Sequence, residues 1–143
     1  MADQTHTTSP SPRHAPLSRN QIIRLAIVGI VTWYAVGVLL AWLGGVGAYN
    51  GSARLIMYAV IVLATPALLF ALMPLAGIAR NQLVLATSVL IATASLCDGL
   101  ALAWLPQIYG GSLPMVAGAG GTILWGVGAA CLISFFVNQE PKS

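Results

Sequence analysis

The chain has 143 residues, of which 58% are hydrophobic and only 6% charged, and its mean hydropathy is +0.87, a balance far from that of soluble domains. The net charge of +3 rests on six basic and three acidic residues, so the basic pI reflects scarce acids rather than a nucleic-acid-binding face, and no nucleic-acid partner is expected. Four apolar runs of spanning length leave no room for a separate soluble domain, which predicts an all-α integral membrane four-helix bundle with short connectors and a disordered N-terminal tail.

That tail, residues 1–20, holds three prolines, several Ser and Thr and almost no apolar content, too little to order itself. His6 and His14 have no neighbouring ligand to complete a metal site, and neither metal nor cofactor is expected. The four-span domain covers 21–137. Its first span, 22–43, is longer than a signal-peptide core and reads as a retained anchor. Gly37, Ala41 and Gly45 form a small-residue line that admits close approach of another backbone. Trp33 and Tyr34 lie near mid-span, where their polar atoms favour a partner over lipid, so both are expected to face the other helices.

A turn-rich connector leads to the second span, 55–79, with Pro66 and Pro74 inside it. Each proline removes a backbone donor and leaves the carbonyl four residues earlier, Val62 or Phe70, to find another partner, such as the hydroxyl of Thr65. The third span, 83–105, carries Asp98, the one acid within any span, eight residues before Pro106 and so roughly 12 Å from that end at 1.5 Å per residue. Insertion scales put a central Asp at about 2.5–3.5 kcal/mol, so Asp98 must face helices or water. Helical spacing groups it with Thr87, Ile91, Ala94, Ser95 and Ala101, against a bulky face of Leu85, Val89, Leu96 and Leu100. Thr87 and Ser95 are expected to extend a polar track from the carboxyl. The fourth span, 115–137, is dense in glycine, with Gly118, Gly121 and Gly126 as helix-packing positions, and is expected to be central; residues 138–143 form a short tail. Cys97 and Cys131 lie on antiparallel spans at depths differing by about 13 Å by helical rise, which excludes a disulfide between them.

Spans one and three both end in Ala-Trp-Leu, at Ala41 to Leu43 and Ala103 to Leu105, followed by a turn with a Tyr, a hint of two related hairpins. Residues 55–134 also resemble an uncharacterised family of small bacterial membrane proteins with four spans. The resemblance rests on Asp98 followed by Leu-Ala-Leu, then Trp104, Pro106 and a Tyr, and on Leu124-Trp125-Gly126 in a Gly-rich last span. It implies four spans and a bacterial inner-membrane setting, with no established activity to transfer.

The expected function is that of a non-enzymatic accessory or packing protein, with no catalytic residues, in which Asp98 is a structural polar group paired with Arg54 or with hydroxyls. The alternative is an oligomeric proton- or cation-coupled small-molecule carrier with Asp98 as its coupling acid. Expected partners are the lipid bilayer and either further copies of the chain or another membrane protein. Arg13, Arg19, Arg24, Arg80 and Lys142 lie on one side of the spans and Arg54 alone on the other, which places both termini in the cytoplasm. Reporter fusions after Asn138 and within 44–54 are expected to report opposite sides; a shared side overturns this topology.

Overall fold

The computed structural model describes residues 16–138, and the calls made on 1–15 and 139–143, including His6, His14, Arg13 and Lys142, lie outside them. Among the described residues the chain is helical, without strands. Four helices, each long and apolar enough to cross a membrane, are α1 (Arg19–Gly45), α2 (Gly51–Ala76), α3 (Leu83–Trp104) and α4 (Leu113–Val137). Single 3-10 turns, Arg80–Gln82 and Pro106–Tyr109, precede and follow α3.

Local chemistry moves several boundaries from their expected places. α1 begins at Arg19 because Ser18 and Gln21 form a capping box: the Ser18 hydroxyl accepts from the Gln21 N–H at 3.3 Å, and the Ser18 N–H donates to Gln21 Oε1 at 2.9 Å. The tail expected over 1–20 is therefore structured from its sixteenth residue, with Leu17 packed against Leu25, Ala76, Ile78 and Ala86. α2 ends at Ala76, three residues before its expected limit. Gly77 takes a left-handed conformation (φ 66°), its N–H bonds the Pro74 carbonyl, and the Ile78 N–H reaches back to Met73 at 3.0 Å. This is the 6→1 and 5→2 pairing of a Schellman motif, with its usual apolar contact supplied by Ile78 and Met73 in one cluster. The freed carbonyls are handled less directly than expected, since the Thr65 hydroxyl donates to Ile61, at 2.7 Å, rather than to Val62.

The helices associate chiefly as α1 with α3 and α2 with α4, with further contacts of α4 to α3 and α1. Both principal pairs are parallel. Along α1, Gln21 meets Gln82, Gly29 meets Leu90 and Thr93, Trp33 meets Asp98 and Gly37 meets Ile108, so the partner position rises steadily with the chain. Along α2 and its lead-in, Tyr49 meets Gly118, Tyr58 meets Gly121 and Trp125, and Ile61 meets Gly126. Tyr58 and Trp125 stack with ring centroids 5.1 Å apart, and the indole N–H donates to the Tyr58 carbonyl at 3.0 Å.

This pairing brings out a longer sequence match than Ala-Trp-Leu alone. Arg19-Asn20-Gln21 recurs as Arg80-Asn81-Gln82, and Tyr49-x-Gly51-Ser52 recurs as Tyr109-x-Gly111-Ser112. The matched segments stand at matched places, opening α1 and α3 and leading into α2 and α4. The two halves are thus two helical hairpins lying side by side in the same direction, with short matching segments at matching places.

Each expected packing glycine touches a neighbour. A Cβ on Gly37 would lie 3.3 Å from Ile108, one on Gly121 3.3 Å from the Tyr58 hydroxyl and one on Gly126 3.7 Å from Ile61, while Gly118 lies against the Tyr49 ring. α4 is not more enclosed than the rest, however: its buried residues are Ala119, Thr122 and Ser134, against five in α3. Its glycines serve the seam with α2 and not a central position. The tightest backbone approach is instead Gly29, where a Cβ would stand 3.2 Å from the Leu90 carbonyl oxygen and 3.3 Å from Thr93.

Gly29→Leu is therefore expected to lower stability by about 1–3 kcal/mol through overpacking of the α1–α3 seam. Gly128→Leu, where an added Cβ meets nothing within 4 Å, is expected to leave the detergent melting temperature unchanged. Equal losses from the two would contradict this seam.

Candidate functional site

Asp98 sits on the inner face of α3, with 9% of its surface exposed. The groups that meet it are neutral. Trp33 Nε1 on α1 donates to Asp98 Oδ1 at 2.9 Å and is shared with the Tyr109 hydroxyl at 3.1 Å, while the Tyr109 hydroxyl itself donates to the same Oδ1. The three side chains close a triangle that links α1, α3 and the 3-10 turn after α3.

Each corner has a local cause. Pro106 opens that turn, and Gly110, at φ 92°, ends it by allowing the Gly110 and Gly111 N–H groups to bond Gln107 and Pro106. The turn carries Tyr109 back under the helices, where the ring is fully buried and its edge lies 3.6 Å from the Cβ position of Gly37. Burial, and then the Asp98 carboxyl that it meets, push the Tyr109 phenol above its ordinary range, so the hydroxyl remains a donor at neutral pH. Trp33 is half-buried and inward, as its mid-span position predicts. Tyr34, expected beside it, points outward and is 60% exposed, because consecutive helix positions are about 100° apart.

The expected Asp98–Arg54 pair does not form. Arg54, in the first turn of α2, donates its Nε to the Tyr49 carbonyl at 2.9 Å. The polar track is also interrupted. At about 100° per residue Thr87, Ala94, Asp98 and Ala101 fall within one arc of roughly 60°, whereas Ser95 lies about 60° beyond Asp98 on the other side. Ser95 is accordingly exposed, and Thr87, Asp98 and Ala101 are buried. The Thr87 hydroxyl has no hydrogen-bond partner among the described residues and lies beside a small apolar cavity of about 20 Å³ bordered by Leu25, Leu69 and Leu83, apart from Asp98.

A second polar knot, which sequence reading missed, ties the opposite end of the same helix pair. Gln21 Nε2 donates to the Gly77 carbonyl at 2.7 Å and to Gln82 Oε1 at 3.2 Å. Gln82, itself buried, also accepts from the Ala79 N–H and donates to the Pro16 carbonyl at 3.0 Å. The signal that would have found it is the recurrence of Arg-Asn-Gln. Cys97 and Cys131 are free thiols, and no cluster of three His, Cys, Asp or Glu is present among the described residues. Comparison of the chain with protein-family models, curated proteins and solved structures found no match.

The triangle predicts a graded series. Asp98→Leu strands the buried Tyr109 hydroxyl and leaves Trp33 Nε1 with the Tyr109 oxygen alone, and is expected to lose about 1–3 kcal/mol, whereas Asp98→Asn, whose amide oxygen still accepts, should lose less. Trp33→Phe with Tyr109→Phe should be non-additive, and Arg54→Gln with Asp98→Asn additive, by thermal unfolding in detergent. Coupling between Arg54 and Asp98 would restore the ion pair that these contacts replace.

Proposed function

We propose that the chain is a non-enzymatic multi-pass membrane protein, an accessory or packing component, in which Asp98 is a structural clasp. The observation that carries this reading is the carboxyl's set of partners. Its oxygen is occupied by two neutral donors from α1 and from the turn after α3, and the polar cleft between α2 and α4 is lined by other residues. A carboxyl in apolar surroundings is stabilised in this way without a cation and without exchange with solution.

The outward surfaces support a bilayer setting. Leu63 on α2, Leu96 on α3 and Leu124 and Phe136 on α4 are each more than 70% exposed and present apolar outward faces. Trp42 and Trp104, the matched residues near the ends of α1 and α3, are also exposed, at the level where aromatic belts lie. In this reading the four helices form a bundle in a bacterial inner membrane, both termini are cytoplasmic by the distribution of Arg and Lys, and a protein partner or second copy meets an outward helix face.

The competing carrier reading gives Asp98 a titrating, transport-linked role, and one comparison separates the two. Membrane flux and drug tolerance are measured for the natural chain and for Asp98→Asn at matched amounts of folded protein. A clasp predicts a lowered melting temperature or folded yield and no transport difference. Abolition of a flux in a variant that retains its melting temperature would overturn the structural role and favour the carrier.

A further inference from the structure

At the end of the molecule where α1 and α3 finish and α2 and α4 begin, a cleft of about 380 Å³ opens between the first turns of α2 and α4. Gly118, Gly121, Tyr49, Asn50, Arg54 and Tyr58 are among the residues that line it. The two glycines make the space: Gly118 lies against the Tyr49 ring, and a Cβ on Gly121 would come within 3.3 Å of the Tyr58 hydroxyl. We infer that this cleft binds the phosphate headgroup of an anionic phospholipid, with Arg54 as its cationic ligand and Asn50 and Tyr58 as flanking donors.

Three observations converge on that occupant. First, Arg54 is fixed and still available. Its Nε is held by the Tyr49 carbonyl at 2.9 Å, which orients the guanidinium, and no other hydrogen bond or ion pair engages it among the described residues. A planar guanidinium held at one nitrogen presents its remaining N–H groups as a fork suited to phosphate oxygens. Second, the donors outnumber the acceptors. Asn50 makes no side-chain cap bond to α2, the Tyr58 hydroxyl has no hydrogen-bond partner among the described residues, and the lining contains no acid. A lining with one cation and no carboxylate matches a net negative headgroup and supplies no counter-charge to the ammonium of a zwitterionic one. Third, the rim is apolar. Leu55, next to Arg54, is 70% exposed, and Leu113, next to Pro114 of the lining, is 81% exposed. Both stand in the first turns of membrane-length helices, where acyl chains begin below their headgroups, so the site sets one cation and its neighbouring donors beside apolar lining and an apolar edge, as a lipid requires and a free phosphate does not.

The test uses the full chain, purified in a neutral detergent and delipidated, with thermal unfolding followed as phosphatidylglycerol or phosphatidylcholine of matched acyl chains is titrated in. Phosphatidylglycerol should raise the melting temperature saturably, and phosphatidylcholine should not. Arg54→Gln should weaken the lipid response about tenfold or more. Asn50→Asp should do the same by placing a carboxylate in the cleft, and because Asp is a favoured N-cap residue it keeps α2 started even if Arg54→Gln impairs folding. Arg24→Gln, at the other end of the molecule, should respond like the natural chain. Equal responses to the two lipids, or an undiminished phosphatidylglycerol response in Asn50→Asp, would overturn the site. A shift of the same size from glycerol 1-phosphate or inorganic phosphate would show a free-phosphate site and overturn the lipid assignment.

Discussion

The satisfaction of one buried carboxyl organises this molecule. Asp98 is buried to 9% exposure, and the donors that meet it are 65 and 11 residues away in the chain, on Trp33 and Tyr109. Meeting both demands that α1 lie against α3, that the indole point inward and that the chain after α3 fold back as a 3-10 turn. Gly37 then has to be a glycine-sized position, because the Tyr109 ring and Ile108 occupy the space beside it. The Gln21–Gln82 knot at the opposite end fixes the same helix pair in register, so the α1–α3 seam is held by hydrogen bonds at both ends and by the Gly29 contact between them. Where apolar burial gives helices little reason to associate, such bonds and close backbone approaches supply the specificity.

The α2–α4 seam is built differently. It relies on the Tyr58–Trp125 stack and on glycines that receive aromatic rings, and it leaves the cleft beside Arg54 open. The two connectors carry their matched tyrosines to different partners. In the first, the Tyr49 hydroxyl donates to the Leu40 carbonyl at 2.6 Å; in the second, the matching Tyr109 reaches Asp98 and Trp33. The hydroxyl of one tyrosine thus bonds within its own hairpin, and that of the other joins the two hairpins.

Helix number and approximate limits were legible in the sequence because spanning length and apolar composition leave few alternatives. The inward placement of Asp98, Thr87 and Trp33 was legible too, but the same mid-span reasoning failed for Tyr34, which stands about 100° round the helix from Trp33 and points outward. The partner of Asp98 was not. Charge complementarity pointed to Arg54, but a backbone carbonyl five residues away was nearer to that guanidinium, and the real donors were aromatic side chains whose polarity is easily overlooked. Ser95 was misplaced because a face wide enough to include it extends beyond the contact that α1 makes. The Gln21–Gln82 knot was hidden because glutamine at a helix start looks like ordinary interfacial composition until two such starts are set side by side.

The parallel pairing of α1 with α3 has a consequence for synthesis. Neighbours in a simple chain of antiparallel spans can dock as each emerges, but here the main partner of α1 does not exist until α2 and its connector have been made. Trp33 must wait for Tyr109, 76 residues later, which at ordinary translation speeds of about 5–20 residues per second is roughly 4–15 s. Through that interval the glycine line of α1, with Gly29 and Gly37, has no α3 to receive it. The α1–α3 seam can therefore close only once Tyr109 has been made, and the α2–α4 seam later still, because α4 begins at Leu113.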